Sequence, residues 1–169
     1  MTQILTTKRL ILRPFRGDDA PDLVRLLNNL DVSSWLTRVS FPYSIVEAHW
    51  YISAVSNPWR FAITSRDTGA FMGSVEVVTE FGYWLGQPFW RQGYMSEAAN
   101  AVVNHWMGQY GDTLASSYFL GNRGSKAILT ALGFEPREIT YKFSKARDKE
   151  VKTRILTLTP TRYHAHKAH

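Results

Sequence analysis

The stretch from Gly82 to Tyr110 restricts the fold more than any other. Gly82-Tyr83-Trp84-Leu85 reads as an apolar strand, and Gly86-Gln87-Pro88-Phe89-Trp90-Arg91-Gln92-Gly93 as a turn. From Met95 onward, Ala98, Ala99, Val102, Val103, Trp106, Met107 and Tyr110 recur at intervals of three and four, which predicts a helix with one buried face. A strand that turns into an anchored helix aims the free N–H groups of that helix at one place. A phosphate is the ligand such groups hold best. Gly93 removes the Cβ that would keep a ligand off the chain, and Arg91 adds a permanent charge beside it. A plain strand-to-helix connection with a glycine at the bend accounts for the same letters, so the turn alone leaves both readings open.

A second helix opening follows. Thr113 to Leu120 reads as a strand, and Asn122-Arg-Gly-Ser125-Lys126-Ala-Ile-Leu-Thr-Ala-Leu132-Gly133-Phe134 as a short helix. Asn122 is placed to cap it, Ile128, Leu129 and Leu132 form its apolar stripe, and Gly133 suits the left-handed position that ends a helix. Gly121-Asn122-Arg123-Gly124-Ser125-Lys126 superficially resembles a P-loop, but the Gly-Lys-Ser/Thr order is absent.

Taken in order, Glu80-Phe-Gly-Tyr-Trp-Leu85, Trp90-Arg-Gln-Gly-Tyr-Met-Ser-Glu-Ala98, Asn122-x-x-Ser125 and Leu132-Gly-Phe134 resemble the GNAT superfamily of acyl-CoA N-acyltransferases. The branch resembled is the Rim type, which acetylates α-amino groups of ribosomal proteins. Arg9-Leu-Ile-Leu-Arg-Pro-Phe15 resembles that branch's first strand. Two positions depart from the superfamily pattern. Met95 stands where its loop ends in glycine or alanine, and Leu129 where many members carry a tyrosine that protonates the departing thiolate.

The resemblance implies a GNAT-like α/β (α+β) fold, with residues 1–169 as one domain. Its mixed, mostly antiparallel sheet of about seven strands splays between the fourth and fifth, with helices on both faces. Acetyl-CoA would lie in the gap as acyl donor. Backbone groups of Trp84, Leu85 and Gly86 would hold pantetheine, and Arg91, Gln92, Gly93, Tyr94, Met95 and Ser96 the pyrophosphate. Asn122 and Ser125 would face it from the other side. Glu80 stands where members often carry a catalytic glutamate, with Glu76 as rival, and Ser125 would donate to the sulfur. Glu80 as a solvated turn residue and Ser125 as support for its helix remain open alternatives.

No covalent enzyme intermediate is required, so the expected reaction is direct attack of an amine on the thioester. The acceptor implied by the resemblance is a protein or peptide α-amino group. A small-molecule amine, or a non-catalytic acyl-CoA sensor, stays open. Trp35, Phe41 and Tyr43 fall in a loop-like segment, residues 31–44, where such aromatics either line an acceptor pocket or cover the core; a mixture is expected, with Trp35 and Tyr43 bordering the cleft.

At 169 residues the chain is long enough for a proper core, and 44% hydrophobic with 20% charged residues excludes a disordered chain. The absence of cysteine excludes a disulfide and a thiolate nucleophile. No signal-like N-terminus or membrane-length apolar run is present, which leads to the expectation of a cytoplasmic protein without membrane contact. A net charge of +6 and a pI near 9.7 favour anionic ligands such as coenzyme A. The cations are scattered, which makes direct nucleic-acid binding the weaker reading, and a homodimer stays open. Three of the five histidines fall at His164, His166 and His169, where a frayed, solvated tail is expected rather than a metal site; no metal is expected.

Capping and periodicity complete the expected order. Asp18-Asp19-Ala20-Pro21 opens a helix carrying Leu23, Leu26, Leu27 and Leu30, and Ser44 with Glu47 opens another with Ala48, Tyr51, Ile52 and Val55 on its buried side. Strands follow at 9–15, 59–65, 70–79, Tyr83–Leu85, 113–120, 138–144 and 152–159, the second and third joined at Asp67-Thr68-Gly69.

Overall fold

A computed structural model describes residues 3–54 and 57–169. Its elements in chain order are β1 (Leu5–Thr6), β2 (Leu10–Arg13), α1 (Ala20–Leu27), α2 (Leu30–Ser33), α3 (Ile45–Ala54), β3 (Arg60–Ser65), β4 (Phe71–Val77) and β5 (Phe81–Leu85). Then come α4 (Tyr94–Gln109), β6 (Leu114–Phe119), α5 (Arg123–Ala131), β7 (Glu135–Ser144), β8 (Lys149–Leu158) and α6 (Pro160–Lys167). The strands form one mixed sheet in the order β1-β2-β3-β4-β5-β6-β8-β7. All neighbours run antiparallel except β5 and β6, which run parallel through the pair Phe81↔Ser116.

Alternation along the strands divides the core between the two faces of the sheet. Phe61 and Ile63 of β3 pack with Val75, Phe81 and the α4 residues Met95, Ala98, Val102 and Val103. Ala62, between them, points to the opposite face and packs with α1 and α3 through Leu23, Leu26, Leu27 and Ala48. Burying side chains of this size stabilises the fold by about 1.5–3 kcal/mol each. The helix opening at Tyr94 is therefore held along its length, and its N-terminus is fixed against the sheet.

Several expectations are corrected. The sheet has eight strands, because Leu5–Thr6 adds a two-residue strand on β2. Residues 31–44 are not wholly a loop: Asn29 caps α2 by accepting from the Asp31 N–H. The C-terminal segment is not frayed. Thr159 caps α6, and the His166 ring packs beside Gly133 with Nε2 at 2.8 Å from the Ala131 carbonyl oxygen. Val55 lies outside the described residues. The Ser44–Glu47 capping box forms, and Gly133 takes a φ of 92° at the end of α5, with Phe134 stacked on Phe81.

Candidate active site

The turn before α4 combines two left-handed residues, Arg91 (φ 59°) and Gly93 (φ 80°). Positive φ is unusual for arginine, and alternating left-handed residues turn successive N–H groups toward one point. Gly93 is the N-cap, and no side chain caps the helix. The first backbone bond into the helix is from the Glu97 N–H to the Gly93 carbonyl, at 3.1 Å. Among the described residues, none accepts a hydrogen bond from the amides of Arg91 to Ser96. Met95 does not crowd them, since its side chain is buried in the core beneath.

The turn is braced from behind by Arg9. Its guanidinium lies 4.3 Å over the Tyr94 ring, donates to the Gln92 carbonyl at 2.9 Å and pairs with Glu97 at 2.7 Å. Glu97 also accepts from the Arg9 backbone N–H and from Thr7. Partial burial pushes the Glu97 carboxyl up, but these hydrogen bonds and the Arg9 charge outweigh it, and the net displacement is downward.

Beside this turn the sheet forks. Phe81↔Ser116 is the one β5–β6 pair among the described residues, and Ser116 Oγ donates to the Phe81 carbonyl at 2.7 Å at the vertex. Further along, Tyr83 Oη reaches across to α5, 2.8 Å from Ser125 Oγ. Burial pushes the Tyr83 phenol up, against the opposing effect of the Ser125 hydrogen bond. Asn122 caps α5 by accepting from the Ser125 N–H at 3.0 Å. A hollow lined by Tyr118, Leu120, Gly121, Asn122, Arg123 and Lys126 adjoins it and carries two cations.

The two carboxylates occupy the sheet face opposite α4. Glu76 and Gly82 are cross-strand partners, so the missing side chain at Gly82 leaves room beside Glu76. Glu76 Oε2 accepts from Arg60 Nε at 2.6 Å and from Tyr51 Oη at 3.2 Å. Glu80, one residue before β5, receives Lys142 Nζ at 3.0 Å on each oxygen and Ser117 Oγ at 2.9 Å on Oε1. Each carboxylate therefore already holds a cation.

The Acetyltransferase (GNAT) domain family model matches residues 9–135. The chain belongs to the GNAT family. It is an acetyl-CoA-dependent N-acetyltransferase. The uncharacterized N-acetyltransferase YoaA of Bacillus subtilis strain 168 is 22% identical over 96% of this chain and 99% of its own. Among solved structures, a GNAT-family acetyltransferase from Bacillus anthracis superposes with a TM-score of 0.82 at 14% identity, covering 94% of this chain and 99% of that one. A Salmonella typhimurium acetyltransferase described as modifying the N-terminal serine of 50S ribosomal subunit protein L7/L12 gives 0.76 at 16%, covering 93% and 99%. These likenesses show the fold.

Acetyl-CoA fits the residues at the α4 turn, where amides without protein acceptors lie beside a glycine and an arginine suited to a diphosphate. The pantetheine positions fare less evenly in this GNAT chain. The Gly86 N–H is spent on the Met72 carbonyl, and the Leu85 carbonyl accepts Trp90 Nε1 at 2.6 Å. Gly86 is itself closely packed, since a Cβ there would strike the Leu26 side chain at 2.7 Å. Gln92 and Ser96 are exposed in the turn, and Trp84 is half-buried against Phe71.

The acceptor candidates separate. Trp35 stands beside Gly121, at the turn between β6 and α5, with the Arg147 guanidinium 4.7 Å over its ring. Tyr43 is 7% exposed and packs in the α1–α3 core, where burial pushes its phenol to about 12; it is a core residue and not a cleft wall. Sequence reasoning missed Tyr83, Ser117 and Lys142 as members of the site, and Arg9 as its brace. Their partners lie 42, 37, 62 and 88 residues away, so no local spacing announced them.

Proposed function

We propose that this acetyltransferase modifies the α-amino group of a protein or peptide by direct attack of the neutral amine on the thioester. The observation that carries the reading is the fork between β5 and β6, opening beside a helix N-terminus whose amides serve no other group among the described residues. Bound acetyl-CoA supplies an activated acetyl group. Arg91 and the Arg91–Ser96 amides hold its diphosphate. Ser125, with the Tyr83 hydroxyl against it, offers a hydrogen bond to the departing sulfur.

Glu80 takes the amine proton, and Glu76 orients the acceptor from across Gly82. Lys142 is paired with Glu80 and Arg60 with Glu76. An α-amino group, with a reference pKa of about 7.7–8.0, needs less help from a base than a lysine at about 10.4. The printed activity of the Salmonella neighbour, an N-terminal serine on a ribosomal protein, supports the same acceptor class.

The test is acetyl-CoA turnover with peptides bearing a free N-terminus, the same peptides N-blocked but carrying lysine, and small polyamines. Turnover restricted to free N-termini is expected. Equal turnover of N-blocked peptides or polyamines contradicts the assignment.

A further inference from the structure

Lys142 Nζ is held against Glu80, the carboxylate proposed above to receive the acceptor's proton. Its Nζ is held by three oxygens, the two of Glu80 at 3.0 Å each and Ser117 Oγ at 2.9 Å, and Ser117 Oγ in turn donates to Glu80 Oε1. Three acceptors around one ammonium satisfy all three of its donors. The group lies at the vertex of the fork: Ser117 follows Ser116 of the one β5–β6 pair, and Glu80 precedes Phe81 of the same pair. Lys142 is on β7, opposite Val151 of β8, on the face with Thr140 and Ser144, while Ile139, Tyr141 and Phe143 are exposed on the other. Its side chain keeps 28% of its exposure and that of Glu80 32%, so the pair is neither sealed in the core nor loose in solvent.

We propose that Lys142 is an intramolecular acceptor, acetylated on Nζ by the acetyl-CoA bound in its own fork; this rests on the placement of the thioester argued above. Glu80 takes one proton from the ammonium and passes it to water. The nitrogen lone pair attacks the thioester carbonyl carbon, the C–N bond forms and the C–S bond breaks. The second proton leaves the nitrogen with the thiolate as free thiol. A nucleophile held against its target reaches effective molarities of about 10⁵ M and above, which offsets the cost of deprotonating the amine. The product amide carries no charge, so the ion pair with Glu80 is lost. Glu80 is then free to receive the proton of an incoming amine, and the modification primes the site.

Purified protein incubated with isotopically labelled acetyl-CoA, digested and mapped by mass spectrometry, tests this. The label is expected on Lys142 at about tenfold or more above Lys8, Lys126, Lys145, Lys149, Lys152 and Lys167, at a rate independent of protein concentration. Lys142→Arg is expected to abolish that label. Uniform labelling of the seven lysines, or a rate rising with protein concentration, overturns the proposal. Turnover of free peptide N-termini in the same sample without label on Lys142 overturns it while leaving the acceptor assignment standing. If acetyl-CoA is neither bound nor consumed, both fall.

Discussion

Glu80 has both oxygens engaged, and Glu76 has one oxygen shared between Arg60 and Tyr51. That difference orders their expected effects. Glu80→Gln removes the proton acceptor and leaves Lys142 without its counter-charge. It is expected to lower kcat/KM about a hundredfold with a changed pH profile. Glu76→Gln keeps an oxygen for Arg60 and is expected to act mainly on the acceptor's KM. Full activity across pH in both variants contradicts a carboxylate base. Glu80 was singled out by resemblance, from its place two residues before Gly82. What it touches was not legible, because Lys142 reaches it only once β7 has folded beside β8 and β6. Tyr43 shows the converse: its place in a loop-like segment left a cleft wall and a core cover both open, and the packing of α1 against α3 drew it inside.

At the scale of the element, the α4 turn depends on backbone geometry and on a brace from another strand. At φ 80° an alanine in place of Gly93 is strained by about 1–2 kcal/mol, and its Cβ would stand 3.4 Å from the Arg9 guanidinium. Gly93→Ala is therefore expected to raise the KM for acetyl-CoA more than it lowers kcat, by steady-state kinetics. The brace carries its own pH signature. The Glu97 carboxyl titrates below its unfolded value of about 4.3, so its contribution to stability is complete above that value and is lost as pH falls through the depressed one. Thermal melts of Glu97→Gln are expected to fall furthest below the native protein at neutral pH, with the gap closing in acid. A gap that stays constant contradicts the brace. The strand, turn and helix were readable because a periodic apolar face and a glycine are local signals. Thr7 and Arg9 were not readable as their support, lying some 90 residues away.

At the scale of the molecule, the order of elements carried most of the architecture. Alternation and capping placed the long strands, and the parallel β5–β6 pair follows from the helix that connects them. The short pieces were lost, since α2 and β1 span four and two residues and leave almost no periodicity to read. The ordering of α6 depends on a groove that exists only after Gly133 has turned away from α5, which composition reads as a polar tail. Among the described residues no helix is long and apolar enough to cross a membrane. What the assembled sheet adds is a fork pinned at Phe81 and Ser116, with the α4 amides on one side and two carboxylates on the other.

That arrangement has one direct readout, the backbone amide spectrum of nitrogen-15-labelled protein titrated with acetyl-CoA. The largest shifts are expected at the Arg91 to Ser96 amides and at Gly82 to Leu85, and their saturation is expected to weaken in Arg91→Glu. Shifts that leave those amides in place, or that are untouched by reversing the charge at Arg91, would contradict the account.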